Sequence, residues 1–232
     1  DEDVTDANIG DQITLDYIDG NEESISVSAT IENNVITIRT PGGDLGELRH
    51  VRVSILDGLE DFADNQMEIH TANFTVRDIT PPVIDTQLSS IITSNAYAIL
   101  SFSEGVYTNN NATGGLQISD FTLEFDKNGG NATAAEISGI QRPGPSGQLL
   151  GGEDSIWVYL NITGAPSGVE IIKIESDGNE AVFDSSGNPL SYPNSSTSNI
   201  ILNPYPRLTD NSLDDNNGYV DLIFSEDVYS TS

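Results

Sequence analysis

A tandem repeat constrains this chain more than any other feature of its sequence. The stretch NAYAILSFSEGVY, at 95–107, returns 122 positions later as NGYVDLIFSEDVY, at 217–229. In both copies Tyr, Leu and Phe are spaced as in a strand that buries most of its length, and a polar Ser-Glu pair follows. We call this stretch the Ser-Glu strand. Its recurrence indicates that one structural unit occurs more than once in the chain.

Proline-containing junctions mark the boundaries between the units. Pro82 precedes the first Ser-Glu strand and Pro204 precedes the second, again 122 positions apart. A weaker match between VSILDG, at 53–58, and IKIESDG, at 172–178, aligns the ends of two units. The sequence therefore predicts a segment cut from a longer protein, with the C-terminal part of a first unit at 1–80, a complete unit at 81–203 and the opening strand of a third at 204–232.

The pattern of turns predicts strands rather than helices. Gly, Pro, Asn, Asp and Ser recur at roughly 8–12-residue intervals between short runs rich in Val, Ile, Thr, Tyr and Phe, which is typical of β-sandwiches. The predicted fold class is all-β, with antiparallel β-sandwich domains. We expect strands near 12–18, 24–31, 35–40, 48–56, 68–77, 96–103, 119–125, 155–162, 169–175, 198–203 and 219–225.

The chain is strongly acidic. It holds 37 Asp and Glu against 8 Lys and Arg, a formal net charge of −29. Nucleic acids bind clustered Lys and Arg, and the basic residues here are scattered, so the sequence argues against a nucleic-acid partner. Such a surface repels itself unless salt or cations screen it, which favours a saline setting or bound divalent metal. The simpler alternative is that the acidic surface only keeps the protein in solution.

Several kinds of chemistry find no support in the sequence. The chain has no cysteine, so it has neither disulfides nor thiol chemistry, as is compatible with a bacterial surface protein. No apolar run reaches the ~18 residues of a membrane-spanning helix. His50 and His70 lie in strand-like runs without a partner motif, and there is no Gly-x-Ser-x-Gly. We therefore expect a protein that is not an enzyme.

Carboxylates cluster around the proline junction. Asp78 precedes Pro81-Pro82, Asp85 follows them, and Glu104 belongs to the Ser-Glu strand. In a rod of sandwich domains, these side chains could grip one Ca²⁺ and fix the angle between neighbours, since calcium takes roughly 6–8 oxygen ligands. The alternative is a stiff proline linker with incidental charge.

A second oxygen-rich segment follows each aligned strand. It contains Asp57-Gly58 with further acidic residues in the first unit, and Asp177-Gly178 with Asp184 and Asn188 in the complete unit. The oxygen-rich segment occurs at the same position in both repeat units, and this recurrence favours a calcium-binding loop. An Asx-turn connection with solvated carboxylates explains the pattern equally well.

The complete unit resembles a known family. The succession FSEGVYTNNNATGGLQISDFTLEF, NGGNATAAEISGI, SIWVYLNITGAPSGVEIIKI and VFDSSGNPL looks like the bacterial Ig-like repeats of very large secreted or surface-anchored proteins, especially of marine bacteria. The resemblance implies tandem immunoglobulin-like antiparallel β-sandwich domains of seven or eight strands, which act as stalks and adhesive modules and are often stabilised by calcium. It carries ion ligation over to Glu104 and Glu226, and to Asp184 with Asn188. The first unit departs from the pattern, because Asp64-Asn65 lacks the Gly.

The sequence thus favours an extracellular, non-enzymatic stalk, adhesin or filament segment rigidified by Ca²⁺, with possible partners among surface glycans. The alternative is a carbohydrate-binding accessory region of a secreted polysaccharide-degrading enzyme. An exposed Trp157 facing a groove with Arg142 would favour that alternative. A lone Trp in an apolar strand is more often part of the core, and we expect this of Trp157.

The second Ser-Glu strand stands without its partners. Residues 204–232 supply an opening strand, whereas 1–80 supply a unit that lacks one. An unpaired strand edge favours pairing with another chain. The sequence therefore predicts that neighbouring repeats, or head-to-tail copies of the chain, are partners, with 219–229 completing the first unit of the next molecule.

Overall fold

The computed structural model describes residues 4–5, 9–61, 63–144, 147–215, 218–225 and 228. The chain divides after Ile79 into two compact units, 1–79 and 80–232. Short 3₁₀ turns lie at Ile9–Gln12 and Ile118–Asp120. The strands are β1 (Val4–Thr5), β2 (Ile13–Tyr17), β3 (Glu23–Ile25), β4 (Ser28–Glu32), β5 (Val35–Arg39), β6 (His50–Ile55), β7 (Glu60–Asp61), β8 (His70–Thr75), β9 (Ser90–Ile91), β10 (Tyr97–Val106), β11 (Phe121–Asp126), β12 (Ala134–Gln141), β13 (Glu153–Thr163), β14 (Ile171–Ser176), β15 (Ile200–Ile201), β16 (Leu208–Leu213) and β17 (Val220–Phe224).

The predicted all-β class is confirmed, and each predicted strand overlaps an observed one. The segment 24–31 is not one strand, because the chain leaves β3 at Ile25 and starts β4 at Ser28. The sequence pattern did not predict β12, whose Ala, Ser and Gly residues have little β-propensity. It also did not predict β16 or the two-residue strands β1, β7 and β9.

In the second unit, two antiparallel sheets share an apolar core. One sheet has the order β12-β13-β10-β9 and the other β11-β14-β15. Alternate residues of β10, including Leu100 and Phe102, pack with residues of β13 against the inward residues of β11 and β14, such as Phe121 and Ile174. Phe102 and Phe121 face each other across the two sheets, with ring centroids 6.5 Å apart. Each fully buried Leu or Ile of this core stabilises the fold by about 1.5–3 kcal/mol.

Paired hydrogen bonds between Asn95 and Asn203 connect two distant segments of the second unit. Asn95, two residues before β10, donates through Nδ2 to the carbonyl of Asn203 at 2.9 Å and accepts from the amide of Asn203 at 2.8 Å. Midway along β10, the amide of Asp85 donates to the carbonyl of Ser101 and the amide of Ser103 donates to the carbonyl of Val83. Both flanks of 81–203 are thus tied to β10.

The first unit has a four-stranded sheet in the order β3-β2-β6-β8 and a separate hairpin of β4 and β5. Its core is formed by Ile9, Ile13 and Leu59, and the half-buried Ile36 and Ile38 of β5 pack against it. All six residues of β8 are exposed. β8 is therefore an edge strand that contributes little to the core.

The two units repeat the same local arrangements. In each, a 3₁₀ turn leads into a strand, β2 or β11, which pairs antiparallel with β6 or β14. The amide of Leu56 donates to the carbonyl of Gln12, and that of Asp177 to the carbonyl of Asp120, both at 2.8 Å. The hairpin β4–β5 stands between these strands in chain order, as β12–β13 does in the second unit.

The hairpin of β16 and β17 repeats the pairing of β9 and β10. Leu213 opposes Val220 and Ser212 opposes Asp221. At positions 122 residues earlier, Ile91 opposes Ala98 and Ser90 opposes Ile99. The serine of the Ser-Glu pair also behaves alike, because Ser103 Oγ accepts from the Val83 amide at 3.0 Å and Ser225 Oγ from the Arg207 amide at 3.1 Å. Unlike β10, both strands of this hairpin are exposed along their whole length.

Candidate metal centre

A five-residue loop fixes the carboxylate of Asp184. Its Oδ1 accepts hydrogen bonds from the amides of Ser186 and Asn188, both at 2.8 Å. Its Oδ2 accepts from Asn188 Nδ2 at 2.8 Å. Gly187 has a φ of 84°, and a Cβ there would lie 2.6 Å from the carbonyl oxygen of Asn110. Asp and Asn at its ends thus hold this loop, and at Gly187 the left-handed backbone and the close Asn110 carbonyl together favour Gly.

The first unit repeats these hydrogen bonds at Asp61, Ala63 and Asn65, and Phe62 lies outside the described residues. Asp61 Oδ1 accepts from the amides of Ala63 and Asn65 at 2.8 and 2.9 Å, and its Oδ2 accepts from Asn65 Nδ2 at 2.7 Å. Asp64 takes the place of the glycine, at a φ of 62°. Asp tolerates this left-handed conformation better than most residues. The missing glycine therefore leaves the loop geometry unchanged.

A bulge places Glu104 near the Asp184 loop. The register between β10 and β13 shifts between Ser101 and Val106, and Glu104 lies in this interval. Bulges of this kind turn a side chain away from its regular direction. Gly105 is needed here because a Cβ would meet the carbonyl oxygen of Gly152 at 2.7 Å. Glu104 is half-buried.

Within the second unit, Glu104 lies beside the Asp184 carboxylate. One carboxylate oxygen of Glu104 lies within 4.8 Å of one of Asp184. Asp184 is fully buried, and Asp78 of the first unit is 5% exposed. Asn188 Nδ2 also reaches the carbonyl of Thr80 at 3.5 Å. Two acidic side chains, predicted from separate stretches of sequence, thus lie close together in the second unit.

The chemistry of this group suits a hard cation. Calcium binds carboxylate, amide and carbonyl oxygens at about 2.3–2.6 Å, so two of its ligands can be at most about 4.6–5.2 Å apart. The separation of at most 4.8 Å between carboxylate oxygens of Glu104 and Asp184 is compatible with one such coordination sphere. A carboxylate oxygen has two lone pairs, so Asp184 Oδ2 can accept from Asn188 and also ligate an ion. Like charges this close repel one another, and a cation between them would remove that repulsion.

Asp85 and Asp177 have other surroundings. Asp85 Oδ1 accepts from the amides of Gln87 and Leu88, at 2.8 and 3.2 Å, and so holds a turn. Asp177 is exposed, and its amide donates to the carbonyl of Asp120. Glu226 lies outside the described residues. The sequence grouped Asp184 and Asn188 with Asp177, and in the structure Asp184 also lies close to Glu104 of the other predicted group.

Trp157 does not lie in the core, so that expectation was wrong. It lies half-buried on the outer face of its sheet, between the inward Ile156 and Val158. Its ring stacks on that of Tyr97, with centroids 4.5 Å apart, and Tyr159 is 5.4 Å from Tyr97. A cavity of about 420 Å³ lies nearby, and its lining includes Arg142 and Ser155 but not Trp157.

Sequence reasoning also missed a buried carboxylate at Glu170. This side chain is fully buried and accepts from the amides of Asn131, Ala132 and Ser167 at 2.6, 2.9 and 2.8 Å, and from Ser167 Oγ at 3.0 Å. Burial by itself raises the pKa of Glu170, but these hydrogen bonds outweigh it and hold the pKa well below its usual range. Glu170 therefore joins two loops of the second unit as an anionic acceptor.

Comparison with protein-family models, curated proteins and solved structures finds no match. Within the described part of the chain, no helix has the length and apolar character needed to cross a bilayer.

Proposed function

We propose that this chain is a non-enzymatic segment of an extracellular stalk, adhesin or filament, built from tandem immunoglobulin-like sandwich domains and stabilised by calcium. The observation that carries the proposal is the close approach of Glu104 to the buried carboxylate of Asp184 within the second unit. The shared loop at 61–65 and 184–188, and the shared register of the two Ser-Glu strands, support the tandem organisation.

The charge of the chain makes bound calcium effective. With a formal net charge of −29 and no cysteine, the folded chain carries strong repulsion and has no covalent cross-link to oppose it. A cation that binds only the folded form stabilises it by RT ln(1 + [L]/Kd), about 2.7 kcal/mol when the ion is at 100 times its Kd. In a unit of this size that corresponds to a rise in melting temperature of roughly 5–10 °C.

Thermal unfolding tests the calcium proposal. We expect millimolar Ca²⁺ to raise the melting temperature relative to chelator at matched ionic strength. Glu104→Gln should remove part of this shift, because it keeps the size of the side chain but removes a charged ligand. The control is Glu23→Gln, since Glu23 is exposed on β3. Superimposable melting curves with and without calcium would contradict the proposal.

The number of Ser-Glu strands encoded by the complete gene would test the structural role. Further copies of the Ser-Glu strand at intervals near 122 residues would support a stalk or filament. A catalytic domain joined to only two or three copies would instead support an accessory region of an enzyme.

A second candidate function is carbohydrate binding. It is favoured by the outward aromatic group of Tyr97, Trp157 and Tyr159, to which Gln141 adds a hydrogen bond between its Nε2 and the hydroxyl of Tyr159. Sugar rings stack on aromatic faces, and the amide and hydroxyl could bind sugar hydroxyls. Titration with soluble polysaccharides should change the fluorescence of Trp157, and Tyr97→Ala should weaken the binding. An unchanged fluorescence spectrum across a panel of neutral and acidic polysaccharides would contradict carbohydrate binding and leave only the structural role.

A further inference from the structure

We propose that the cavity beside Arg142 and one face of the Trp157 indole form a single binding site for a neutral polysaccharide. A sugar ring would stack on the indole and place its hydroxyls in the cavity. Carbohydrate binding, the second candidate function given above, is the premise of this site. The cavity adds to it the class of sugar that is bound and the residues that select that class.

Tyr97 covers one face of the Trp157 indole and leaves the other face toward the cavity. The two rings stack with centroids 4.5 Å apart. In the strand register Tyr97 lies opposite Tyr159, whereas the cavity is lined by Ser155, on the other side of Trp157 along β13. The second face of the indole is therefore the one nearer to the cavity, where a sugar ring could stack on it.

Two residues connect the indole to the cavity. Ser155 lies two positions before Trp157 on β13, and hence on the same outer face of the sheet. Gln141, which opposes Trp157 in the register, directly precedes Arg142 in the chain. Because Ser155 and Arg142 both line the cavity, the indole and the cavity are neighbours on one face of the second unit.

A fixed loop forms one wall of the cavity. Glu153 holds it, because its Oε1 accepts from the amide of Leu150 at 2.8 Å and its Oε2 accepts from the amide of Gly151 at 2.9 Å. The loop also packs against Tyr107, since a Cβ would lie 2.6 Å from its ring at Gly151 and 2.9 Å from its hydroxyl at Gly152. The cavity of about 420 Å³ is thus formed in advance, which lowers the cost of ordering on binding.

Three polar side chains in the cavity are available to a ligand. Arg142, Asp154 and Ser155 line it, and within the described part of the chain their side chains make neither an ion pair nor a hydrogen bond. A guanidinium donates hydrogen bonds, a carboxylate accepts them and a hydroxyl does both. Sugar hydroxyls also donate and accept, so one sugar ring can use all three groups.

The charges of the cavity select a neutral ligand. Arg142 and Asp154 carry opposite charges, so an anion that pairs with the guanidinium meets a carboxylate in the same cavity. The formal net charge of −29 further repels a polyanion. A cationic ligand would meet Arg142. A neutral sugar has no such conflict, because its hydroxyls can donate to Asp154 and accept from Arg142.

Calorimetric titration of the full chain tests the ligand class. The probes are two neutral polysaccharides, laminarin and galactomannan, and one acidic polysaccharide, alginate, all in chelator so that calcium cannot bridge alginate to the acidic surface. We expect a neutral probe to bind, with an affinity that changes by less than about twofold between about 0.05 and 0.5 M NaCl, since no net charge is engaged. Emission from Trp157, the only tryptophan, should change in the same titration.

Substitutions in the cavity test the residues. Arg142→Ala and Asp154→Ala should each weaken binding of the neutral probe by about tenfold or more, because each removes hydrogen bonds to a charged group. The matched controls are Lys127→Ala and Glu124→Ala. Both residues are exposed, on β11 or directly after it, in the other sheet, and these variants should bind like the parent chain.

The outcomes separate this site from its premise. Neutral binding that Arg142→Ala and Asp154→Ala leave unchanged would overturn the cavity but keep carbohydrate binding at the aromatic group. Binding of alginate alone, weakened by salt and strengthened by Asp154→Ala, would overturn the neutral class and also keep carbohydrate binding. If none of the probes binds, both the site and its premise are wrong, whereas calcium-dependent melting tests the structural role separately.

Discussion

Removing the carboxylate of Glu170 should destabilise the second unit more than any surface substitution. Glu170→Ala leaves five donors without their acceptor, namely the amides of Asn131, Ala132, Ser167 and the exposed Val169 and the hydroxyl of Ser167. An unsatisfied buried donor costs about 1–3 kcal/mol. Water can reach the exposed Asn131, but Ala132 is fully buried and Ser167 is half-buried. The expected loss of unfolding free energy is therefore about 3–5 kcal/mol.

Urea denaturation measures this loss. Trp157 is the only tryptophan and lies in the second unit, so its fluorescence reports on that unit. With a slope of about 2 kcal/mol per M, a loss of 3–5 kcal/mol moves the midpoint down by about 1.5–2.5 M. The control is Glu136→Ala, because Glu136 is exposed on β12. Equal midpoints for the two variants would refute the reasoning.

The same carboxylate predicts a pH dependence. Its pKa is lowered in the folded protein from the ordinary value of 4.5, so the unfolded chain takes up the proton first as the pH falls. The stability that Glu170 contributes is complete above pH 4.5 and is lost progressively below it. The difference between the parent chain and Glu170→Gln should therefore shrink between about pH 5 and pH 3.

Three further predictions concern loops and buried groups. Gly187→Ala should destabilise the second unit by about 2 kcal/mol or more, because it combines a left-handed backbone with contact to the Asn110 carbonyl. Gly178 is also left-handed, with a φ of 83°, but lies in open space, so Gly178→Ala should lower the unfolding free energy by only about 1 kcal/mol. Equal urea midpoints for the two variants would show that contact with the Asn110 carbonyl adds nothing. Asn65→Ala should speed hydrogen exchange at the amides of residues 63 and 65, because it removes the hydrogen bond from Nδ2 that orients Asp61. Loss of this bond should lower the stability of the loop by about 1 kcal/mol. Unchanged protection factors would show that the loop does not need the bond. Burial raises the pKa of Asp120, so the charged carboxylate opposes folding above that pKa. In thermal melts, Asp120→Asn should therefore be at least as stable as the parent chain at pH 7 and should lose this advantage at pH 3. A stability difference that is the same at both pH values would contradict this account.

The sequence predicted the strands best where a pattern repeats. The Ser-Glu strand located β10 and β17, and the 122-residue spacing carries over to their registers with β9 and β16. The position of Trp157 was also accessible, because strict alternation along β13 places it opposite to Ile156 and Val158. The apolar composition of the strand favoured a core position for Trp157, but the alternation of side chains along the strand is the better guide here.

The candidate metal centre was predictable only in part. Asp78 and Glu104 were expected together because both flank the proline junction. Asp184 was expected to neighbour Asp177, its near neighbour in sequence, and only the three-dimensional fold brings it to Glu104. Glu170 gave no signal beyond a charge at the start of an apolar run, since its partners are mostly backbone amides, which every residue but proline possesses.

The hydrogen bonds along β10 bear on how the second unit would respond to mechanical load. Val83 and Asp85 hold the entering chain to Ser103 and Ser101, midway along β10, and the bonds between Asn95 and Asn203 hold the leaving chain two residues before β10 begins. Tension between these two connections would thus run along the covalent backbone from Asn95 to Ser103. The apolar core and the loops would stay outside this path until one of the two ties breaks.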